Sequence, residues 1–206
     1  EGVEQVVNGY SMAYALDSCY RTAHHGEEWM PSKNSGMIPH TLTIPESEKA
    51  VPFFDRNGLM ISVFQADHSP VHPAVGYRFE YRGNVVVISG DTVKTPTLPK
   101  FAKNADLFVC EALNKEMVMM ISRVAQELNN PLLSRQMFDV LDYHMSPVEA
   151  AEVAQEAGVK TLVLTHLVPS IPPDDGMEAL FVQGMDEIYS GTIIAGRDGM
   201  NIAVEA

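Results

Sequence analysis

Five side chains able to ligate a cation or move a proton stand at recurrent places in this sequence. His68 closes the run LMISVFQADH, Asp91 follows VVVISG, Glu111 closes LFVCE, and His166 closes TLVLTH. His144 directly precedes Met145-Ser146-Pro147. Open α/β folds set their chemistry just beyond the carboxyl ends of their strands. An imidazole or carboxylate at such an end is held by a rigid element and aimed away from the sheet. Histidine nitrogens and carboxylate oxygens are zinc donors, and a histidine beside a helix start is suited to general acid–base work. There the helix dipole would lower its pKa. Each residue also has an ordinary reading: a strand-end histidine bonded to backbone, an Asx-turn aspartate, a strand-end salt bridge, a solvated neighbour of a cap.

The elements that must position these residues follow from pattern. Val3, Val7, Tyr10 and Tyr14 keep helical spacing and predict an amphipathic helix over about 3–20. Residues 21–45 are polar and rich in Pro and Gly, an irregular insertion of the kind that is functional or mobile. A strand over 59–66 leads to His68, and a hairpin over 75–81 and 85–89 turns at Arg82-Gly83-Asn84. VVVIS is apolar on both faces and should be buried in a layered fold. A short helix after Asp91, a strand ending at Glu111, and helices over 114–128 and 133–141 follow. Ser146 with Glu149 forms a capping box, with Pro147 at the first helical position and Gly158 as the stop. The strand VKTLVLTH, a helix near 176–188 and a hairpin in IIAGRDGMNIAVEA close the chain. Alternating strands and helices indicate an α/β protein. His24, His25 and His40 could line a substrate mouth or be solvated loop residues, His72 follows His68 too loosely to assign, and Cys110 reads as core.

Composition bounds the function. The 206 residues carry 14 basic against 27 acidic side chains, a net charge of −13. That balance argues against a general polyanion binder, so RNA is not an expected partner. No apolar run is long enough to span a bilayer, and no membrane association is expected. Two cysteines, Cys19 and Cys110, cannot build a disulfide framework or a cysteine-rich zinc site, which favours a reducing compartment such as the cytoplasm. No Gly-rich phosphate loop follows the first strand, which sets aside a nucleotide-binding domain.

Taken together, DHSPVHPAVGYRF, VVVISGDT, VCEA, YHMSP and EAAEVAQEAGVKTLVLTH, in this order over about 60–170, resemble the metallo-β-lactamase-fold hydrolases. The resemblance is to the branch that includes ribonuclease Z and arylsulfatase-like enzymes. It implies an α/β fold of the αββα sandwich type, with residues 1–206 forming one domain that is mainly the second half of that fold. It implies two divalent metal ions, usually zinc, with Asp91 as the carboxylate between them. His68 would ligate one ion and His166 the other. His144 would protonate the leaving group, with Glu111 as its hydrogen-bonded partner. The activity implied is hydrolysis of an ester-type bond (phosphodiester, phosphotriester, sulfate ester, carboxylic ester or lactone) in a small-molecule substrate, by a metal-bound hydroxide.

One departure shapes the expectation. The family's HxHxDH signature is absent, and no spacing among His24, His25 and His40 reproduces it. The first half of the fold should then precede Glu1, in the same or a companion chain, and without it activity should be lacking. Asp91 shared between two ions leaves each with two protein ligands, fewer than the three or four usual for zinc. A sheet deprived of its packing layer should also expose apolar surface. A homo-oligomer is left open. The competing expectation is a non-catalytic homologue that uses the fold for binding or scaffolding, supported by the absent signature and opposed by His144 and Glu111.

Overall fold

A computed structural model describes residues 2–44 and 48–204. By internal contacts the chain divides into two compact units, 1–43 and 44–206. In the first, α1 (Gly2–Ala13) and α2 (Ala15–His25) replace the single expected helix. The break is one residue wide: Tyr14 N–H still donates to Tyr10 O, and Tyr14 O accepts from Ser18. Helix continues through Arg21–His25, where an irregular segment was expected, because nothing breaks it before Gly26. Arg21 pairs with Asp17 one turn back, and Gly26, at φ +85°, ends the helix by donating to Thr22 O. Irregular chain follows, interrupted by the short 3₁₀ turn Ser32–Asn34. Pro45, the last residue of the expected insertion, lies outside the described residues.

The second unit is built on one seven-stranded sheet: β1 (Val51–Arg56), β2 (Leu59–His68), β3 (Val71–Tyr81), β4 (Asn84–Ile88), β5 (Leu107–Leu113), β6 (Thr161–Val168) and β7 (Thr192–Ala195). Spatial order equals chain order. Short turns at Asn57-Gly58, Ser69-Pro70 and Arg82-Gly83 make β1–β4 an antiparallel meander, whereas β4–β7 are parallel. Parallel pairing needs crossovers. These carry α3 (Leu98–Phe101), α4 (Lys115–Glu127), α5 (Pro131–Asp139), α6 (Pro147–Ala157) and α7 (Asp175–Phe181). The protein is thus an α/β protein, as the patterning indicates.

Strand alternation sorts the sheet's side chains onto two faces. Phe64, Val87, Phe108, Cys110, Leu162 and Leu164 point to one face and form the core with Phe101, Ala150, Ala154 and Phe181 from the helices. Phe64 and Phe101 stack at 4.4 Å between centroids. On the other face Val51 and Phe54 are each 39% exposed and Ile88 37%, so β4 is not covered on both sides within the described residues.

Helix α6 forms as its caps dictate. Ser146 Oγ accepts from Glu149 N at 3.2 Å, Glu149 Oε2 accepts from Ser146 N at 2.8 Å, and Gly158 closes the helix at φ +65°. Two expectations near the C-terminus fail. Helix α7 ends at Phe181, not near 188, because the chain turns at Gly184 with φ +83°. The last segment forms no hairpin among the described residues: β7 pairs with β6 instead, and 201–204 are not in a strand. Parallel addition to β6 satisfies β7's backbone groups without a partner from its own turn. Residues 205–206 of that expected hairpin lie outside the described residues. No helix is long and apolar enough to cross a membrane among the described residues.

Gly90 controls the turn that ends β4. Its φ is +64°, and a Cβ there would collide with the carbonyl of Val75 on β3. A side chain at 90 therefore meets both left-handed strain and a clash. Gly90→Ala should lower unfolding stability by roughly 2 kcal/mol or more, measured by urea denaturation; a cost under about 0.5 kcal/mol would show that the turn relaxes freely.

Candidate metal centre and proton-transfer pair

All five candidate residues come together at the end of the sheet where β4, β5 and β6 finish. They get there by different local means. His68 is the last residue of β2. Asp91 lies beyond the end of β4, past the Gly90 turn. Glu111 is inside β5, which runs on to Leu113, so it does not end its strand as expected. His166 also lies within its strand. Glu111 pairs with Thr165 but Ala112 pairs with Leu167, so His166 is the unpaired residue of a β-bulge, at φ +47°. The bulge turns its ring out of the sheet, the re-aiming that bulges achieve near active sites.

Asp91 sits between two histidines. His68 Nε2 is 4.0 Å from Asp91 Oδ2, and His166 Nδ1 is 3.8 Å from Asp91 Oδ1. Neither distance is a hydrogen bond. Each carboxylate oxygen faces a different imidazole, the spacing that a cation between each pair would fill. His144 lies between the two histidine rings, with centroids 5.1 Å from His68 and 5.5 Å from His166.

Glu111 organises the proton-transferring side. It is 1% exposed, and its Oε1 faces His144 Nδ1 at 3.1 Å. The same oxygen accepts Thr92 N–H and Met145 N–H, each at 3.1 Å. Burial opposes charge on His144, but the hydrogen bond to Glu111, the charge of Glu111 and the charge of Asp91 together hold its pKa above the ordinary value. The expectation that the α6 dipole lowers this pKa is therefore corrected: two carboxylates close to the ring outweigh a half-charge at a helix end. Glu111 Oε2 is buried without a partner among the described residues.

The donor set fits a divalent cation. Glu111, His144 and His166 also bring one potential ligand atom each within 4.8 Å of one another. Oε1 of Glu111 and Nδ1 of His144 are committed to each other, which leaves Glu111 Oε2 and His144 Nε2 as that group's free donors.

Of the remaining candidates, three lie in the first unit, one on β3 and one in the core. His24 and His25 end α2, exposed, with rings 4.7 Å apart. His40 is exposed in the same unit, and His72 is exposed on β3. Cys110 is fully buried, and burial pushes its thiol far above the usual range. Two contributors carried little sequence signal. Thr92 Oγ1 accepts from Asp67 N at 3.0 Å, clasping the end of β2 to the Asp91 loop. Tyr143 contributes a backbone carbonyl, which any residue could supply.

Comparison with known proteins places the chain in a family. Residues 13–167 match the beta-lactamase superfamily domain, and the chain belongs to that family. Within it, the relatives lie on the ribonuclease Z side. The chain is 36% identical over 197 residues to ribonuclease Z of Mycobacterium tuberculosis, covering 96% of this chain and 64% of that protein. It covers 78% of a second ribonuclease Z homologue from the same species, again at 36% identity. Against ribonuclease Z of Mycobacterium marinum it is 33% identical, covering 66% of that protein. In fold it resembles a metallo-β-lactamase-fold protein of Bacillus subtilis (TM-score 0.51, 20% identity, 75% of this chain and 52% of that one). It also resembles the short form of human tRNase Z (TM-score 0.50, 21% identity, 79% and 49%). The chain therefore spans about two thirds of the length of most curated relatives it matches.

These relatives overturn the expectation that RNA is not a partner. The charge argument summed the chain as if evenly spread, whereas affinity for phosphate depends on local cations and on any metal bound at the site.

In the metal-free protein, an NMR titration should find the His144 pKa above 6.5, and Glu111→Gln should bring it down. The sign follows from the raised value. Stabilisation from the charged pair is fully present below the ordinary histidine pKa and fades as pH rises through the folded-state value. A His144 pKa unmoved by Glu111→Gln would sink this assignment.

Proposed function

We propose that these residues form one wall of a metal-dependent phosphodiesterase acting on RNA of the transfer-RNA type. The activity is proposed for the whole protein to which they belong, with residues 1–206 read as one domain of it. The observation that carries the reading is the placement of Asp91: one oxygen toward His68, the other toward His166, with His144 held beside them by Glu111. The names of the ribonuclease Z relatives support the substrate class.

Each residue then has a role set by its surroundings. His68 and His166 would hold one divalent ion each, zinc being the metal this donor chemistry suits. Asp91 would be shared between the ions. When bound, such ions lower the pKa of water and neutralise charge on a phosphate. His144 presents Nε2 toward the site while Nδ1 faces Glu111, so it can carry a proton to a leaving oxygen. Glu111 and Asp91 raise the pKa of the ring and so favour its protonated form. The Thr92 and Met145 N–H groups fix Glu111, so the histidine needs no reorganisation before it acts.

A second reading rests on the unpartnered Glu111 Oε2 and the clustered Glu111, His144 and His166. There Glu111 is itself a ligand. The two readings separate by metal content. On the first, Glu111→Gln and His144→Ala retain bound zinc, and His144→Ala slows cleavage of a tRNA-type transcript by about 10²–10⁴-fold. Asp91→Ala loses zinc. If Glu111→Gln also loses zinc, the second reading replaces the first. If the metal-loaded whole protein leaves the transcript intact, the RNA assignment fails.

A further inference from the structure

His68 has two ring nitrogens, and only one faces Asp91. The other, Nδ1, lies 2.9 Å from the backbone carbonyl of Tyr143. A carbonyl can only accept, so neutral His68 must carry its proton on Nδ1. That leaves the lone pair on Nε2, the atom 4.0 Å from Asp91 Oδ2. The Tyr143 ring also packs edge-on against the His68 ring, with centroids 5.0 Å apart at 84°. The same ring lies 4.8 Å from His144.

The surrounding segment makes Tyr143 distinctive. Its successors are tied to β5: His144 Nδ1 and Met145 N–H bond to Glu111, and Met145 O accepts from Leu113 N at 2.8 Å. Tyr143 instead reaches β2, through the His68 contact. We propose that Tyr143 is a positioning residue: its carbonyl and ring together lock the tautomer and tilt of His68, and join the ligand side of the site to the proton-transferring side. The proposal rests on reading His68 as a metal ligand. A ligating histidine needs its other nitrogen engaged, and the partner that engages it sets ring orientation and basicity. Here that partner is the residue adjoining His144, so a shift of His68 is passed directly to the proton donor.

Substitution of the side chain leaves the carbonyl in place and isolates the ring's share. The test uses the whole protein to which these residues belong, metal-free for the tautomer spectra and at alkaline pH, as wild type, Tyr143→Phe and Tyr143→Ala. Long-range ¹H–¹⁵N NMR spectra read which ring nitrogen of His68 carries the proton. Wild type and Tyr143→Phe should show a single Nδ1–H form, and Tyr143→Ala a mixture with the Nε2–H form. In parallel, zinc affinity should fall about tenfold for Tyr143→Ala and be restored by Tyr143→Phe. Should alanine loosen the fold, Tyr143→Leu keeps the bulk without the aromatic edge and should give the same mixture. An Nε2–H tautomer in wild type overturns the proposal, as does an alanine variant whose tautomer is unchanged or a phenylalanine variant that behaves like alanine. A scrambled tautomer with unchanged zinc affinity instead removes His68 from the ligand set and leaves the locking role of Tyr143 standing.

Discussion

One buried oxygen, Oε1 of Glu111, is what the rest of the site depends on. It faces His144 Nδ1 and accepts backbone N–H groups from Thr92 and Met145, all at 3.1 Å. A carboxylate removed from water is costly unless its lone pairs are matched, so each of these donors is held as firmly as it holds. The consequence is spatial. Thr92 follows Asp91, Met145 follows His144, and Glu111 belongs to the strand beside the His166 bulge. One carboxylate thereby fixes three chain segments that are far apart in sequence.

The stability of the fold is uneven around this point. The interior side of β4–β6, packed on α3, α6 and α7, is fully covered. The site end is built from less favourable pieces: a left-handed His166 in a bulge and, among the described residues, an unpartnered Glu111 Oε2. Such strain persists only where the surroundings over-determine it. The crossed ties supply that: Thr92 Oγ1 to Asp67, Glu111 to Met145, and Tyr143 O to His68. The end of β2, the turn after β4 and the bulge in β6 set the places of His68, Asp91 and His166.

Much of this could be read in the sequence, for a physical reason. The capping box at Ser146–Glu149, the Gly158 stop and the Arg82-Gly83 turn are local signals, and local hydrogen bonding decides them. Four of the site residues stood out because they close or follow apolar runs, and His144 because it precedes a capped helix. What could not be read depends on pairing between distant segments. The bulge that re-aims His166 exists only as a register shift against Glu111 and Ala112. The carbonyl and ring of Tyr143 meet His68 only once β2 lies beside them, so chain order alone did not reveal the contact. The His144 pKa was misjudged in direction because the helix start beside it is visible in sequence, whereas the approach of Glu111 and Asp91 is not.

The acidic balance misled for a related reason. A net charge of −13 describes the whole chain, but a polyanion meets only the cations it can reach. Two lysines border the site in sequence: Lys94 follows the Asp91 loop and Lys115 opens α4 just beyond β5. Both are matched by carboxylates of α6, Lys94 to Glu152 at 2.7 Å and Lys115 to Glu149 at 3.6 Å. All four side chains are at least 33% exposed. Exposed pairs of this kind contribute about 0–1 kcal/mol, too little to withhold a lysine from a phosphate. Their carboxylates subtract from the charge count without removing the cations from use. A chain can therefore be acidic in total and still carry lysines free to meet a phosphate.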